Sequence, residues 1–167
     1  MPSRSIRATL VATLAAGGVL YALPSAHAAL GGTPTPPPEG ATSRLLAPVA
    51  RAASGAASAT PSASYSVTQT TLSSGTVVRE YVSTAGTVFG IAWRGPMMPD
   101  LPTLLGSYFT QFDSARNALR AAHPGRGPLN LEVPGLVVRS GGHMGAFSGQ
   151  AYLPQSLPAG VSAADIQ

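Results

Sequence analysis

The chain has 167 residues with ten basic and six acidic side chains, a net charge of +4, and all ten basic residues are arginine. It has no cysteine, which excludes disulfides, thiolate chemistry, iron–sulfur clusters and lipidation of a cysteine. A charge this small, spread along the chain, gives no electrostatic footprint for nucleic acid.

Residues 1–28 have the layout of a cleavable export signal. Two arginines open the segment, residues 8–23 are apolar or small, and Ala26-His27-Ala28 is a small-x-small cleavage site. A membrane span needs about 20 apolar residues, and this segment has fewer. We therefore expect a cut between Ala28 and Ala29 and a periplasmic or secreted protein with no stable membrane span after cleavage. Losing the two arginines lowers the net charge to +2.

Residues 29–64 are predicted to form a Pro/Ala/Ser-rich disordered linker. Of the 32 residues from 33 to 64, 26 are Ala, Pro, Ser, Thr or Gly, so few bulky side chains are present to offset the entropy of ordering. A short apolar patch at 45–49, flanked by Arg44 and Arg51, is either a docking peptide or simply an apolar point in the linker.

Order is predicted to begin at Tyr65, and residues 65–167 form a single domain. Turn signals separate three strands of an antiparallel meander: 65–72, 76–83 and 87–94. The first is polar and is expected at the edge of the sheet. In the third, Phe89, Ile91 and Trp93 alternate onto one face.

One amphipathic helix follows the meander. Asp100 is its expected N-cap, apolar residues recur at helical spacing up to Ala122, and His123-Pro124-Gly125 ends it. The helix should lie across the face that carries Phe89, Ile91 and Trp93. Two or three further strands are predicted, at 129–133, 136–139 and 146–153, and a capping box at 162–165. The fold class is therefore α+β.

Catalytic and metal-binding patterns are weak in this sequence. His143, in the glycine-rich turn 140–145, is either a general base or ligand contact, or a solvated histidine in a hairpin that needs positive φ. Residues 145–149 do not match the nucleophile-elbow pattern. The histidines and carboxylates have no metal-site spacing, so we expect no metal and no cofactor.

The segment from Trp93 to Asp100 is the better binding candidate. Trp93, Arg94, Met97 and Met98 beside a proline corner suit a ligand or partner surface. The alternative is that Trp93 and one methionine belong to the core and Arg94 is a solvated strand end.

Several motifs together resemble a known family. They include Ser74-Gly75-Thr76-Val77-Val78-Arg79-Glu80-Tyr81, Trp93-Arg94-Gly95-Pro96, Met98-Pro99-Asp100-Leu101 and Gly142-His143-Met144-Gly145-Ala146-Phe147. The chain resembles an exported bacterial family with a domain of unknown function, over Ala29 to Gly32 and nearly all of 65–167. The resemblance implies a signal peptide and one small domain, and it supplies no activity, cofactor or catalytic residue.

These patterns favour a non-catalytic periplasmic or secreted binding module, whose partner is an envelope protein or ligand rather than nucleic acid. Two alternatives remain open: a small hydrolase that uses His143, and a structural spacer of the cell envelope.

Overall fold

The computed structural model describes residues 30–46, 49–50, 63–125 and 127–167. The predicted export signal at 1–28 and its cleavage site lie outside these residues. So does most of the second half of the predicted linker. None of the described helices is long and apolar enough to cross a membrane.

The described chain folds around one antiparallel sheet, which confirms the α+β class with more strands than predicted. The strand order is β1-β3-β4-β5-β8-β7-β6, and β2 pairs with β3 beside β1. The bounds are β1 Thr42–Leu45, β2 Val49–Ala50, β3 Ala63–Thr71, β4 Val77–Ser83, β5 Val88–Gly95, β6 Leu129–Val133, β7 Leu136–His143 and β8 Ala146–Tyr152.

The predicted helix is present, with an interruption in its first third. Helix α1 spans Leu101–Leu105, a turn of 3-10 helix spans Gly106–Tyr108, and helix α2 spans Phe109–Ala122. Gly106 has a φ of 51°, a conformation that glycine adopts without strain and that ends α1. Asp100 stands at the N-cap position, but its carboxylate accepts the Thr103 hydroxyl at 2.6 Å instead of a main-chain N–H.

Residues 30–46, predicted as linker, instead belong to the folded domain. Strand β1 pairs with β3 at four positions, so β3 lies inside the sheet rather than at its edge. Leu30 is fully buried and its N–H donates to the carbonyl of Leu104 at 3.1 Å. Composition alone misses this, because an existing strand supplies backbone partners that an isolated polar segment lacks.

The sheet has an apolar cluster on each face. Helices α1 and α2 cover one face, where the largest fully buried side chains include Ile91, Leu105, Phe112 and Val138. The opposite face is covered only in part, by the chain from Pro154 to Gln167. Its cluster contains Tyr65, Val67, Tyr81, Phe89, Ala92, Val137, Tyr152, Val161 and Ile166.

Phe89 lies on the face opposite to the one predicted. The register shifts between β4 and β5, where Tyr81 pairs with Gly90 and Val82 pairs with Val88, so Phe89 is the extra residue of a β-bulge. One inserted residue reverses the alternation. Ile91 therefore packs under the helices as expected, whereas Phe89 packs edge-on against Tyr65, with ring centroids 5.7 Å apart.

The C-terminal segment is fixed to the sheet by close packing and by hydrogen bonds. A Cβ on Gly90 would lie 2.7 Å from Cδ1 of Ile166, so the glycine lets this isoleucine sit directly on the strand. The predicted capping box is confirmed, with Ser162 and Asp165 bonded reciprocally around a 3-10 turn. Beyond it, the Tyr81 hydroxyl donates to the main-chain oxygen of Gln167 at 2.8 Å.

Candidate functional site: an arginine-lined groove

The part of the sheet that the C-terminal segment leaves open carries a row of polar residues. The strand registers align one residue from each of seven strands, directly opposite its neighbours: Arg44, Gln69, Arg79, Ala92, Gln150, Arg139 and Asn130. Directly paired residues of antiparallel strands project to the same side of a sheet. All seven side chains therefore lie on the face opposite to the helices.

A second row, two residues further along each strand, adds a fourth arginine. Arg94 pairs with Val77 on one side and with Ser148 on the other, and Ser148 pairs with Gly141. Neighbouring strands lie about 4.8 Å apart, so the three strand steps from Arg79 to Arg139 cover about 14 Å. The five steps from Arg44 to Arg139 cover about 24 Å.

These two rows line an open groove of about 810 Å³. The central positions are small, because Ala92 and Gly141 offer little or no side chain on this face. A Cβ on Gly149 would point to the other face of the sheet and overlap the indole of Trp93. The lining residues are Arg44, Gln69, Val77, Arg79, Ala92, Trp93, Arg94, Pro128, Asn130, Arg139, Ser140, Gly141, Ser148, Gly149, Gln150 and Gln167.

The groove is strongly positive, since its lining has four arginines and no aspartate or glutamate. Arg79 is held in place: its Nε donates to Oε1 of Gln69 at 3.1 Å, and its Nη1 donates to the main-chain oxygen of Gln167 at 2.7 Å. A guanidinium presents five donors, so Arg79 keeps donors for a ligand.

The other three arginines are less restrained. Nη2 of Arg139 lies 3.9 Å from Oε1 of Glu132, and the two side chains are 52% and 74% exposed. An ion pair this long and this exposed contributes little to stability. Arg44 and Arg94 are exposed and form no hydrogen bond or ion pair with any residue in the described part of the chain. The groove thus offers anions several charged donors that are not already paired.

The structure separates the site residues predicted from the sequence. Trp93 borders the groove but is only 3% exposed and packs in the cluster beneath the helices, while Arg94 is exposed in the groove. Met97 and Met98 are 59% and 41% exposed at the proline corner and are not part of the groove lining. The Thr76 hydroxyl holds this corner by donating to the carbonyl of Met97 at 2.7 Å.

His143 ends strand β7 on the exposed β7–β8 hairpin, outside the groove. The strand continues through Gly141 and Gly142, so the turn is shorter than predicted. Its ring contacts the next residue in the chain, with Nδ1 3.0 Å from the carbonyl oxygen of Met144. No carboxylate orients the imidazole in the described residues, and no group of three or more potential metal-ligating side chains occurs among them.

One buried carboxyl group lies on the helix-covered face. Glu80 is 2% exposed, and its Oε1 accepts the N–H of Thr35 at 3.1 Å. Its Oε2 has no hydrogen-bond partner within the described chain. Burial raises the pKa of Glu80 above its usual range, and hydrogen bonding to Thr35 opposes that effect only in part.

Sequence reasoning missed three of the four groove arginines: Arg44, Arg79 and Arg139. A partial signal was present, because Arg79, Arg94 and Arg139 each follow a core residue within a predicted strand and so point away from the core. Their convergence depends on β8 lying between β5 and β7, a pairing that no local pattern encodes. Arg44 was assigned to the linker.

The fold and groove define a small α+β domain with a single sheet, helices on one face and a positively charged groove on the other. A family model described as "Protein of unknown function (DUF2844)" matches residues 26–166, and the chain belongs to this family. The resemblance found in the sequence is thereby confirmed as to family. Neither a curated protein nor a solved structure matches the chain.

Proposed function

We propose that this domain is a non-catalytic binding module, and that its groove binds a ligand carrying carboxylate groups. The observation that carries the proposal is the set of four arginines in one groove whose lining has no aspartate or glutamate. Like charges gathered on one surface destabilise the free protein slightly, and a bound anion reduces that cost.

Arginine suits this role better than any other basic residue. The planar guanidinium forms two parallel hydrogen bonds to a carboxylate, which gives both orientation and affinity. The arginines stand on paired strands, which position side chains more rigidly than loops do. Arg79 is further oriented by Gln69 and Gln167.

The chemistry of the lining supports binding rather than turnover. General acid–base catalysis needs a titratable group within reach of the reacting atoms, and the lining contains no histidine, aspartate or glutamate. All of its charged side chains are arginines.

We further propose that the domain works outside the cytoplasm, in the periplasm or as a secreted protein. The support is the basic, apolar and small-residue order of residues 1–28. N-terminal sequencing of the protein recovered from the periplasmic fraction and from the culture medium tests this proposal. We expect the recovered chain to begin at Ala29, and full-length protein confined to the cytoplasm would refute it.

Retention on a carboxymethyl resin under a salt gradient tests the binding proposal. Arg94→Glu changes an exposed groove arginine, and Arg120→Glu makes the same change of charge on exposed helix α2. If the groove binds carboxylates, Arg94→Glu elutes at clearly lower salt than Arg120→Glu. Equal shifts for the two variants would show that net charge alone governs retention and would overturn the proposal.

A further inference from the structure

Resting on the proposed binding function, we infer that the ligand of the groove is an extended chain of acidic sugars, a uronic-acid polysaccharide, lying across the strands of the sheet. Such a ligand matches the spacing of the arginines, the direction of their row and the side chains between them.

The spacing requires a ligand with several separated negative charges. Arg44 and Arg139 lie about 24 Å apart by strand count, with Arg79 between them. Two arginine side chains reach about 6 Å each and a hydrogen bond adds about 3 Å at each end, so one compact anion cannot engage both ends of the row. A linear polymer with a charge on each repeating unit can.

The direction of the row argues against an acidic peptide docked by strand addition. Peptides that extend a sheet pair with the main chain of an edge strand and run parallel to the strands. The groove lies on the face of the sheet, where the main-chain groups of β4, β5, β8 and β7 already bond to one another. Only side chains are available to a ligand that crosses these strands.

The side chains between the arginines match hydroxyl groups. Gln69, Gln150 and Asn130 carry amides, which both donate and accept hydrogen bonds, and Ser148 adds a hydroxyl. Sugar hydroxyls also donate and accept, whereas phosphate esters and sulfates only accept. The Gln69 oxygen already accepts from Arg79, so a polyphosphate would leave only the amide oxygens of Gln150 and Asn130 without a donor. A uronic-acid chain offers hydroxyl donors to these two oxygens and carboxylates to the guanidinium groups.

The floor of the groove leaves space for sugar rings. Ala92 and Gly141 are the smallest lining residues in the two rows that face the groove. Trp93 is buried, so stacking of a ring on an exposed indole does not contribute. Charge pairs then supply most of the affinity, and salt at physiological strength weakens binding because the arginines are exposed.

Isothermal titration calorimetry of the chain from Ala29 onward with oligogalacturonates tests the inference. The ligands are the monosaccharide, the trisaccharide, the hexasaccharide and the fully methyl-esterified hexasaccharide, with polyglutamate and polyphosphate of matched charge as rival polymers. We expect affinity to rise about tenfold or more from the monosaccharide to the hexasaccharide, because one chain engages several arginines at once. The methyl ester should not bind.

Variants separate the two flanks. Arg139→Gln should weaken binding of the hexasaccharide by a larger factor than binding of the monosaccharide, because only the longer chain engages both flanks at once. Arg120→Gln, outside the groove, should change neither. Circular dichroism spectra of both variants should match that of the parent, which excludes misfolding as the cause.

Three results would overturn the inference. Equal affinity for the monosaccharide and the hexasaccharide would indicate a compact carboxylate, and binding in the groove would stand. Tighter binding of polyglutamate or polyphosphate would replace the sugar chain with that polymer. If no uronate binds and resin retention is also independent of Arg94, both the inference and the proposed function fail.

Discussion

The two faces of the sheet are built from alternate residues of the same strands, yet they differ in nearly every property. In β4, Val78 and Val82 lie beneath the helices, and Arg79 lies on the opposite face. The helix-covered face is apolar almost throughout. The opposite face is apolar only where the C-terminal segment covers it and is lined by arginine where it is open. The sheet surface is therefore apolar where other segments of the chain cover it and charged where it is open to solvent.

The segments at the two ends of the described chain complete this division. Residues 30–46 bring Leu30 and Thr35 against the sheet, where Thr35 donates to the buried Glu80. At the other end, Ile166 covers Gly90, and the main-chain oxygen of Gln167 accepts a hydrogen bond from the groove residue Arg79. The boundary between apolar and charged surface on the open face thus coincides with the end of the C-terminal segment.

The largest effect is expected where the helices cover the sheet. Phe112 is 1% exposed in the core cluster beneath α2. Phe112→Ala leaves a cavity that the surrounding side chains cannot fill, and we expect it to reduce the free energy of unfolding by about 3–5 kcal/mol. Urea denaturation followed by circular dichroism measures this. A loss below about 1 kcal/mol would mean that the helices contribute little to the core.

The second-largest loss of stability is expected where the C-terminal segment covers the face opposite to the helices. Ile166→Ala removes a fully buried side chain, and we expect a loss of about 2–4 kcal/mol in the same denaturation experiment. Gly90→Ala should also destabilise the parent, because its new methyl group meets Ile166. In the Ile166→Ala background that clash disappears, so the cost of Gly90→Ala should shrink. Strict additivity of the two changes would contradict the packing of Ile166 on the strand.

A smaller, pH-dependent effect is expected at Glu80. Its pKa is raised in the folded state by burial, so the folded protein holds the proton more strongly than the unfolded chain does. This stability is fully present below the unfolded pKa, near 4.5, and is lost as pH rises from there through the raised folded pKa. Denaturation midpoints measured across this range should therefore fall with rising pH.

Glu80→Gln removes the charge and should flatten that profile. At neutral pH we expect the variant to be more stable than the parent by on the order of 1 kcal/mol, because a buried carboxylate with an unpartnered oxygen is replaced by a neutral amide. The difference should vanish at low pH, where the parent is protonated as well. Parallel profiles for parent and variant would show that another group produces the slope.

Local patterns in the sequence predicted the elements well and their arrangement poorly. Strands β4 to β8, the helical region and the Ser162–Asp165 capping box follow from alternation, helical spacing and turn residues. These signals act between near neighbours in the chain. The bulge at Phe89 adds one residue and reverses the predicted face of that side chain, and Gly90 beside it is the only local signal of the bulge in the sequence.

The groove could not be predicted, because it depends on contacts between distant segments. Arg44 and Asn130 are 86 positions apart in the chain and belong to one row through six successive strand pairings. Each register is set by the packing of whole strands against the helices rather than by the polar residues themselves. The small net charge of the chain therefore did not reveal a positively charged groove, because half of the eight arginines after Ala28 converge on one surface.

The smallest effect on stability should come from the groove itself. Arg94 is exposed, has no partner in the described part of the chain and faces other positive charges, so Arg94→Gln should change the free energy of unfolding by no more than about 0.5 kcal/mol. Any change should be a gain, and it should shrink as salt screens the repulsion. The same variant should weaken retention on a carboxymethyl resin. Denaturation at low and high salt and resin retention, each compared with Arg120→Gln as control, measure the two parts of this prediction.

A loss of stability comparable to that of Ile166→Ala would show that the open face serves the fold instead of a ligand. If Arg94→Gln leaves both retention and stability unchanged, Arg94 has no role in binding.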